Sequence, residues 1–222
     1  MSKEKQLQKK QIKLKEEQDR VYKLGEYERR YSKYEFICGV DEVGRGPLAG
    51  PVVAVAVILP KDCEILYIND SKKLSKKKRE SIAGEILAKA IAVGIGIVSP
   101  SRIDQINILQ ATYEAMTMAV EDLDIKPDML LVDAVTIPHL EIPQEAIIGG
   151  DTVSISIAAA SIIAKVARDK IMADYDEIYP GYDFEKNSGY GTKHHREALK
   201  QLGATPIHRK TFIKKILNHE KK

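Results

Sequence analysis

Phe36-Ile-Cys-Gly-Val-Asp41-Glu42-Val-Gly44-Arg45-Gly46-Pro47-Leu-Ala-Gly50-Pro51 is the stretch that decides how the rest of the chain is read. An apolar run, Ile37 to Val40, delivers two adjacent carboxylates, a glycine-rich turn follows, and a second apolar run extends from Val52 to Leu59. Two strands joined by a turn fit this pattern. Successive strand side chains point to opposite faces. Asp41 and Glu42 can therefore serve one site only if the strand ends or bulges there, which Gly44 and Gly46 would permit. Acids beside bared backbone donors and the Arg45 cation suit a metal site that grips a phosphodiester. A tight turn with two solvated acids stays open on these residues alone. A dinucleotide loop does not fit, because Gly50 falls one residue late for G-x-G-x-x-G and the turn leads into a strand instead of a helix.

Outward from this stretch, 222 residues with 44% hydrophobic content suit one globular, soluble domain with appendages. No run reaches the roughly 18 apolar residues of a membrane span, and the polar N-terminus has no signal-peptide core. Cys38 and Cys63 sit in no metal or redox motif. A cytoplasmic protein, with no membrane partner, is expected. The net charge of +3 is unevenly spread: residues 1–33 carry +5, residues 193–222 carry +7, and the middle carries −9. Basic ends around an acidic middle suit a polyanion held against a metal-binding centre, although solvated tails explain the same charges.

Residues 2–33 read as a polar helix, an arm that either packs loosely on the domain or lies along nucleic acid. The domain proper begins near Tyr34. The organisation expected is a helical arm over 1–33, a catalytic domain over 34–192 and a helical tail over 193–222 packed on it. Asn69 to Ser75 has turn chemistry, and Ser75 is a fitting N-cap for a helix over about 76–90. Six basic residues at 72–79 hint at a phosphate partner or form a solvated face. Ile91 to Ile97 alternates with Ala92, Gly94 and Gly96, a strand with one small-residue face that a helix could approach closely. Apolar residues at helical spacing run from Ile106 to Leu123. Met129 to Val132 reads as a short buried strand ending at Asp133, the edge where open α/β sheets place chemistry. Ile147-Ile148 is a further short strand. A long apolar helix follows, about 153–178, which Asp151 would cap; Lys165, Arg168 and Asp169 could pair on its drier face. A glycine-rich loop, Ser188 to Thr192, precedes two helices at about 193–202 and 210–218. Hairpin-linked strands followed by helix-linked strands imply an α/β fold with a mixed sheet flanked by helices.

Four carboxylates thus stand at element ends: Asp41, Glu42, Asp133 and Asp151. Phosphodiester hydrolysis needs an activated water and a stabilised leaving oxygen, which two divalent ions about 3.5–4 Å apart can supply. Hard oxygen ligands suit Mg²⁺ or Mn²⁺.

The chain resembles ribonuclease HII, of the type 2 ribonuclease H family, over about residues 34–215. The motifs are Gly39-Val-Asp41-Glu42-Val-Gly44-Arg45-Gly46-Pro47-Leu-Ala-Gly50, Asp70-Ser71-Lys72-Lys73-Leu74-Ser75, Leu131-Val132-Asp133-Ala134, Gly150-Asp151, Ala158 to Asp169, and Gly189-Tyr190-Gly191-Thr192. The resemblance implies a ribonuclease H-like fold and hydrolysis of the RNA strand of RNA–DNA hybrids. It also implies incision on the 5′ side of single ribonucleotides in duplex DNA, leaving 3′-hydroxyl and 5′-phosphate ends. By position it makes Asp41, Glu42, Asp133 and Asp151 the catalytic and metal-binding acids. Gly44, Arg45 and Gly46 become the turn that reads the 2′-hydroxyl, which is both donor and acceptor. Tyr190 would lie against the next sugar, and Lys72 and Lys73 would contact phosphates. A monomer is expected. The sister type HIII differs at the turn after the paired acids; a four-carboxylate exonuclease or a non-catalytic nucleic-acid-binding module are the other readings. His194, His195, His208 and Arg209 read as solvent-facing or phosphate-side basic residues.

Overall fold

A computed structural model describes residues 3–218; residues 1–2 and 219–222, the outer ends of the expected arm and tail, lie outside the described residues. In chain order the elements are α1 (Lys3–Leu24), α2 (Glu26–Arg30), β1 (Ile37–Val43), β2 (Val52–Ile58), α3 (Lys76–Lys89), β3 (Ala92–Val98), α4 (Pro100–Glu121), β4 (Met129–Asp133), β5 (Gln144–Ile147), α5 (Ile155–Ile178), α6 (Phe184–Asn187), α7 (Lys193–Leu202) and α8 (Lys210–Asn218). A single 3-10 turn, Gly150–Thr152, precedes α5.

The five strands form one mixed sheet in the order β3-β2-β1-β4-β5. β1 and β3 each pair antiparallel with β2, whereas β1–β4 and β4–β5 are parallel. The two acids Asp41 and Glu42 do not sit on a bulge. β1 pairs regularly with β2 as far as Val43↔Val53, while its pairing with β4 stops at Val40↔Val132. The neighbour on one side ends, so both carboxylates stand at an edge although their strand continues. The chain turns after Val43 at Gly44, with φ of +98°, a conformation that L side chains rarely adopt.

Alternation along β1 and β4 sorts two cores. Cys38, Val40, Leu130 and Val132 face α4, with Ala111, Ala115 and Ala119 opposite. The other side of the sheet packs on α5, where Val55 and Val57 meet Ala158, Ala159, Ile162 and Ile163. The small-residue face of β3 does what its pattern predicts: a Cβ on Gly96 would stand 1.9 Å from the Ala115 carbonyl oxygen and one on Gly94 2.1 Å from that of Ala119. α4 therefore lies directly on that strand.

Three local expectations shift. The helix after Asp151 begins later, at Ile155, and its cap is Ser154, whose hydroxyl accepts from the Ile157 N–H at 3.3 Å. Asp151 lies in the separate 3-10 turn and does not cap α5. β5 falls on Gln144–Ile147, and Ile148 is 91% exposed. α6 was not legible in the sequence; four residues carry too little periodicity to register. Ser75 caps α3 as expected, accepting from the Lys78 N–H at 3.3 Å.

Residues of the N-terminal arm are tied to the domain. Val21 and Leu24 are buried in the core beside α5. Glu17 accepts from the Tyr67 N–H at 2.6 Å, and Arg20 donates to the Ile68 carbonyl at 2.6 Å. Glu28 accepts from the Ser154 and Ser156 hydroxyls at 2.6 Å each and from the Ser156 N–H at 3.0 Å. The preceding half of α1, from Lys5 to Glu16, is exposed.

Candidate active site

The four acids gather at one edge of the sheet. Asp41 is buried, and its Oδ1 accepts from the Glu42 N–H at 2.7 Å. The Ser161 hydroxyl of α5 favours the charged form of that carboxyl, and it lies 3.1 Å from the hydroxyl of Ser71. Asp133 ends β4, where its Oδ1 accepts from the Gly150 N–H at 2.8 Å. That bond ties the strand end to the turn carrying Asp151. Burial, and then the nearby charges of Glu42 and Asp133, push the Asp41 carboxyl well above the ordinary aspartate value. Burial also raises Glu42, with Asp133 adding to the rise and Arg45, 3.4 Å away, opposing it. Asp151 is raised by burial, then by Asp70 and Asp133, against the pull of Lys72 and Lys73.

These mutual repulsions are the test of whether a cation suits the site. No group of three or more His, Cys, Asp or Glu side chains among the described residues is drawn tightly enough to hold a metal ion as it stands. The carboxylates form an open, oxygen-only set with unfavourable charge among its members. Such a set fits a hard divalent ion that keeps several of its waters. Nitrogen and sulfur donors are absent from it, which disfavours zinc.

Beside the acids stands the turn 44–46, with the ring of Tyr190 next to it: its Cε1 lies 3.5 Å from the position a Cβ on Gly46 would take. Lys72 and Lys73 are exposed, and their charges reach Asp151. Lys73 is 3.8 Å from Asp70. The four acids are thus linked by their charges, Lys72 and Lys73 act on Asp151, Arg45 on Glu42, and Tyr190 stands against Gly46.

What the sequence did not disclose is how the turn and the tyrosine loop are held. Arg168 and Arg209 are both wholly buried, and every hydrogen bond found for their guanidinium groups goes to a backbone carbonyl. Arg209 donates to Gly44 at 2.5 Å, Arg45 at 2.9 Å, and Gly50 at 3.0 and 2.9 Å. Arg168 donates to Pro51 at 2.9 Å, Ser188 at 2.8 Å and Ala49 at 3.1 Å. Burial holds both guanidinium pKa values down, to about 10 for Arg168 and about 9 for Arg209.

Backbone bonds complete the knot: Leu48 N–H to Gly189 O at 2.8 Å, Arg209 N–H to Leu48 O at 2.8 Å, and Gly50 N–H to Ile207 O at 2.9 Å. Segments 44–51, 188–190 and 207–209 are one unit.

Four expectations are corrected here. Arg168 does not pair with Asp169; that carboxylate takes Lys165 at 2.6 Å and Arg79 at 2.8 Å, while Arg168 turns inward. His208 and Arg209 are not basic surface but buried. His195 is fully buried too, and only His194 of that pair is exposed. A signal for two of these was present. His195 shares helical spacing with Ala198 and Leu199, and Arg168 with Ala164 and Met172, which put both on the inner faces of their helices. Arg209 had no such signal, because its burial comes from the fold-back of segment 203–209.

The chain is similar in sequence and fold to several known proteins. Residues 38–215 match the family model described as Ribonuclease HII. A ribonuclease HII of Lachnoclostridium phytofermentans is 63% identical over 204 residues, covering 92% of this chain and 80% of that protein. One of Enterococcus faecalis is 60% identical, with 83% and 72% covered. Among solved structures, ribonuclease H2 from Pyrococcus horikoshii OT3 superposes with a TM-score of 0.69 at 28% identity, covering 84% of this chain and 99% of that one. The Archaeoglobus fulgidus ribonuclease HII, solved in complex with PCNA, gives 0.70 at 27%, with 84% and 97% covered. With an acidic sheet edge, a glycine turn locked beside it and a family match over most of its length, the chain belongs to the ribonuclease HII family of endonucleases.

Proposed function

We propose that this chain hydrolyses the RNA strand of RNA–DNA hybrids and incises on the 5′ side of single ribonucleotides embedded in duplex DNA, leaving 3′-hydroxyl and 5′-phosphate ends. The observation that carries the reading is the convergence of four electrostatically coupled carboxylates with the turn 44–46 and Tyr190. Asp41, Glu42, Asp133 and Asp151 would hold Mg²⁺ or Mn²⁺, two ions in all. Divalent ions bound there supply an activated water and neutralise charge on the leaving oxygen.

The protein groups do the positioning. The Glu42 N–H fixes Asp41 and the Gly150 N–H fixes Asp133, so these ligand oxygens are oriented before any ion arrives. Gly44, Arg45 and Gly46 read the ribose 2′-hydroxyl through backbone groups, a readout that a deoxyribose cannot satisfy. Tyr190 lies against the sugar of the following nucleotide. Lys72 and Lys73 grip phosphates and set register without reading sequence.

The test is a labelled DNA duplex with one embedded ribonucleotide, incubated with Mg²⁺ or Mn²⁺, alongside an all-DNA duplex and Asp41→Asn protein. A single cut on the 5′ side of the ribonucleotide, lost in the variant, is expected. Cleavage of a long hybrid without that cut would overturn the single-ribonucleotide part. Binding without any cleavage would mark a non-catalytic module.

A further inference from the structure

The carbonyl of Tyr190 accepts from a histidine. His195 Nδ1 lies 2.9 Å from it, and a carbonyl can only accept, so Nδ1 carries the proton. The other nitrogen, Nε2, is 3.0 Å from His208 Nε2. His208 Nδ1 in turn lies 3.0 Å from the Thr205 N–H and 2.8 Å from its hydroxyl. A backbone N–H can only donate, so His208 Nδ1 accepts and its proton sits on Nε2, aimed at the bare Nε2 of His195. Every hydrogen in this chain is therefore assigned by its two ends: Thr205 N–H to His208, His208 to His195, His195 to Tyr190. Both rings are buried and enclosed by Tyr182 and Phe184, whose rings lie 5.1–6.2 Å from each other and from the two imidazoles.

We propose that the neutral His195–His208 pair is a positioning device that holds Tyr190 in the pose from which it tests the sugar after the cut, setting the preference for a ribonucleotide followed by a deoxynucleotide. The inference rests on the reading of Tyr190 given above and adds the residues that enforce it. Neither imidazole touches the four acids through any of these bonds. The device reaches the substrate only through the tyrosine's backbone. One end is anchored in segment 205–209, which also carries Arg209 under the turn 44–46. The two sugar-reading groups, turn and tyrosine, thus share one C-terminal anchor. The pair conducts orientation and takes no part in bond cleavage.

The experiment compares kcat/KM for cutting before a ribonucleotide followed by deoxyribose with that for the same site followed by a second ribose. A lost neutral hydrogen bond corresponds to roughly a tenfold change. His208→Leu is expected to lower the ratio about tenfold, chiefly through kcat. His208→Gln, whose amide can still donate to His195, is expected to restore most of it. Tyr190→Ala is the reference that removes the reader itself. If Tyr190→Ala collapses the ratio and folded His208→Leu leaves it intact, the positioning role is overturned while the reading of Tyr190 stands. If Tyr190→Ala leaves the ratio unchanged, that reading falls and this inference with it. Should His208→Leu not fold, nitrogen-15 shifts of the wild-type imidazoles decide: a proton on Nδ1 of His195 and on Nε2 of His208 supports the device, and the reverse tautomers overturn it.

Discussion

Arg209 and Gly44 are 165 positions apart, yet the guanidinium donates to the glycine carbonyl at 2.5 Å and to its neighbour Arg45 at 2.9 Å. A cation from the last tenth of the chain thus fixes the turn that follows the first strand. Among the described residues no carboxylate hydrogen-bonds it; carbonyl dipoles, the Phe212 ring 5.1 Å from the guanidinium carbon and the charge of Asp104 offset its own. Arg209→Met keeps the stem's volume but deletes four hydrogen bonds and leaves three carbonyls without their donor. We expect a loss of roughly 2–4 kcal/mol in unfolding free energy, measured by denaturant titration. Discrimination between ribose and deoxyribose at the cut should fall further than affinity for all-DNA duplex.

The acids predict opposite outcomes for activity and stability. Asp41 is held well above its ordinary value by burial and by neighbouring carboxylates. Near neutral pH its charged form is therefore strained in the metal-free protein. Asp41→Asn should abolish cleavage and yet raise the metal-free melting temperature. Addition of Mg²⁺ should raise the wild-type melting temperature, by linkage to the folded state, and raise that of the variant much less. A variant that melts lower than wild type without metal would contradict the repulsion described.

Asp133→Asn tests the other strand end. Cleavage should be lost with little change in duplex binding, since Lys72 and Lys73 are untouched; an electrophoretic shift assay beside a cleavage assay separates the two. Cleavage near the wild-type rate would remove Asp133 from the site.

The buried imidazoles set an acid limit to stability. Burial, followed by the neighbouring His195, lowers His208 from 6.5 to about 4, and burial lowers His195 as well. Between about pH 6.5 and 4 the unfolded chain binds protons that the folded chain refuses, so stability is full above that window and declines as pH falls through it. The His208 share is roughly 3 kcal/mol across the window. Unfolding free energies of wild type and His208→Gln, measured from pH 7 to 4, should converge as the pH drops.

Truncation should divide the arm in two. Residues 5–16 are exposed, so removing residues 1–16 should leave stability within about 0.5 kcal/mol. Removing 1–33 uncovers the neighbours of Val21 and Leu24, each worth about 1.5–3 kcal/mol when buried, and should lower the melting temperature by many degrees.

The sequence by itself determined a good deal of this protein. Period-two alternation around Gly94 and Gly96, the Ser75 cap and the apolar run before Asp133 located their elements because each signal is local, written within a few residues. The two acids at 41–42 and the glycine turn after them were legible for the same reason. Tertiary structure alone decided the rest. Locally, Asp151 reads as a helix cap because a carboxylate before an apolar helix is usually one, and only the family motif points to a role in the site; the Asp133–Gly150 bond, which joins its turn to β4, links residues 17 apart. Burial of His208 and Arg209 could not be read from their polar neighbours. It comes from segment 203–209 folding back onto the turn, where the carbonyls of Gly44, Arg45 and Gly50 accept from the buried cation. Local patterns fix which elements form. Which polar groups are sealed inside is settled only when distant loops meet, because a buried donor must find its acceptor somewhere in the same fold.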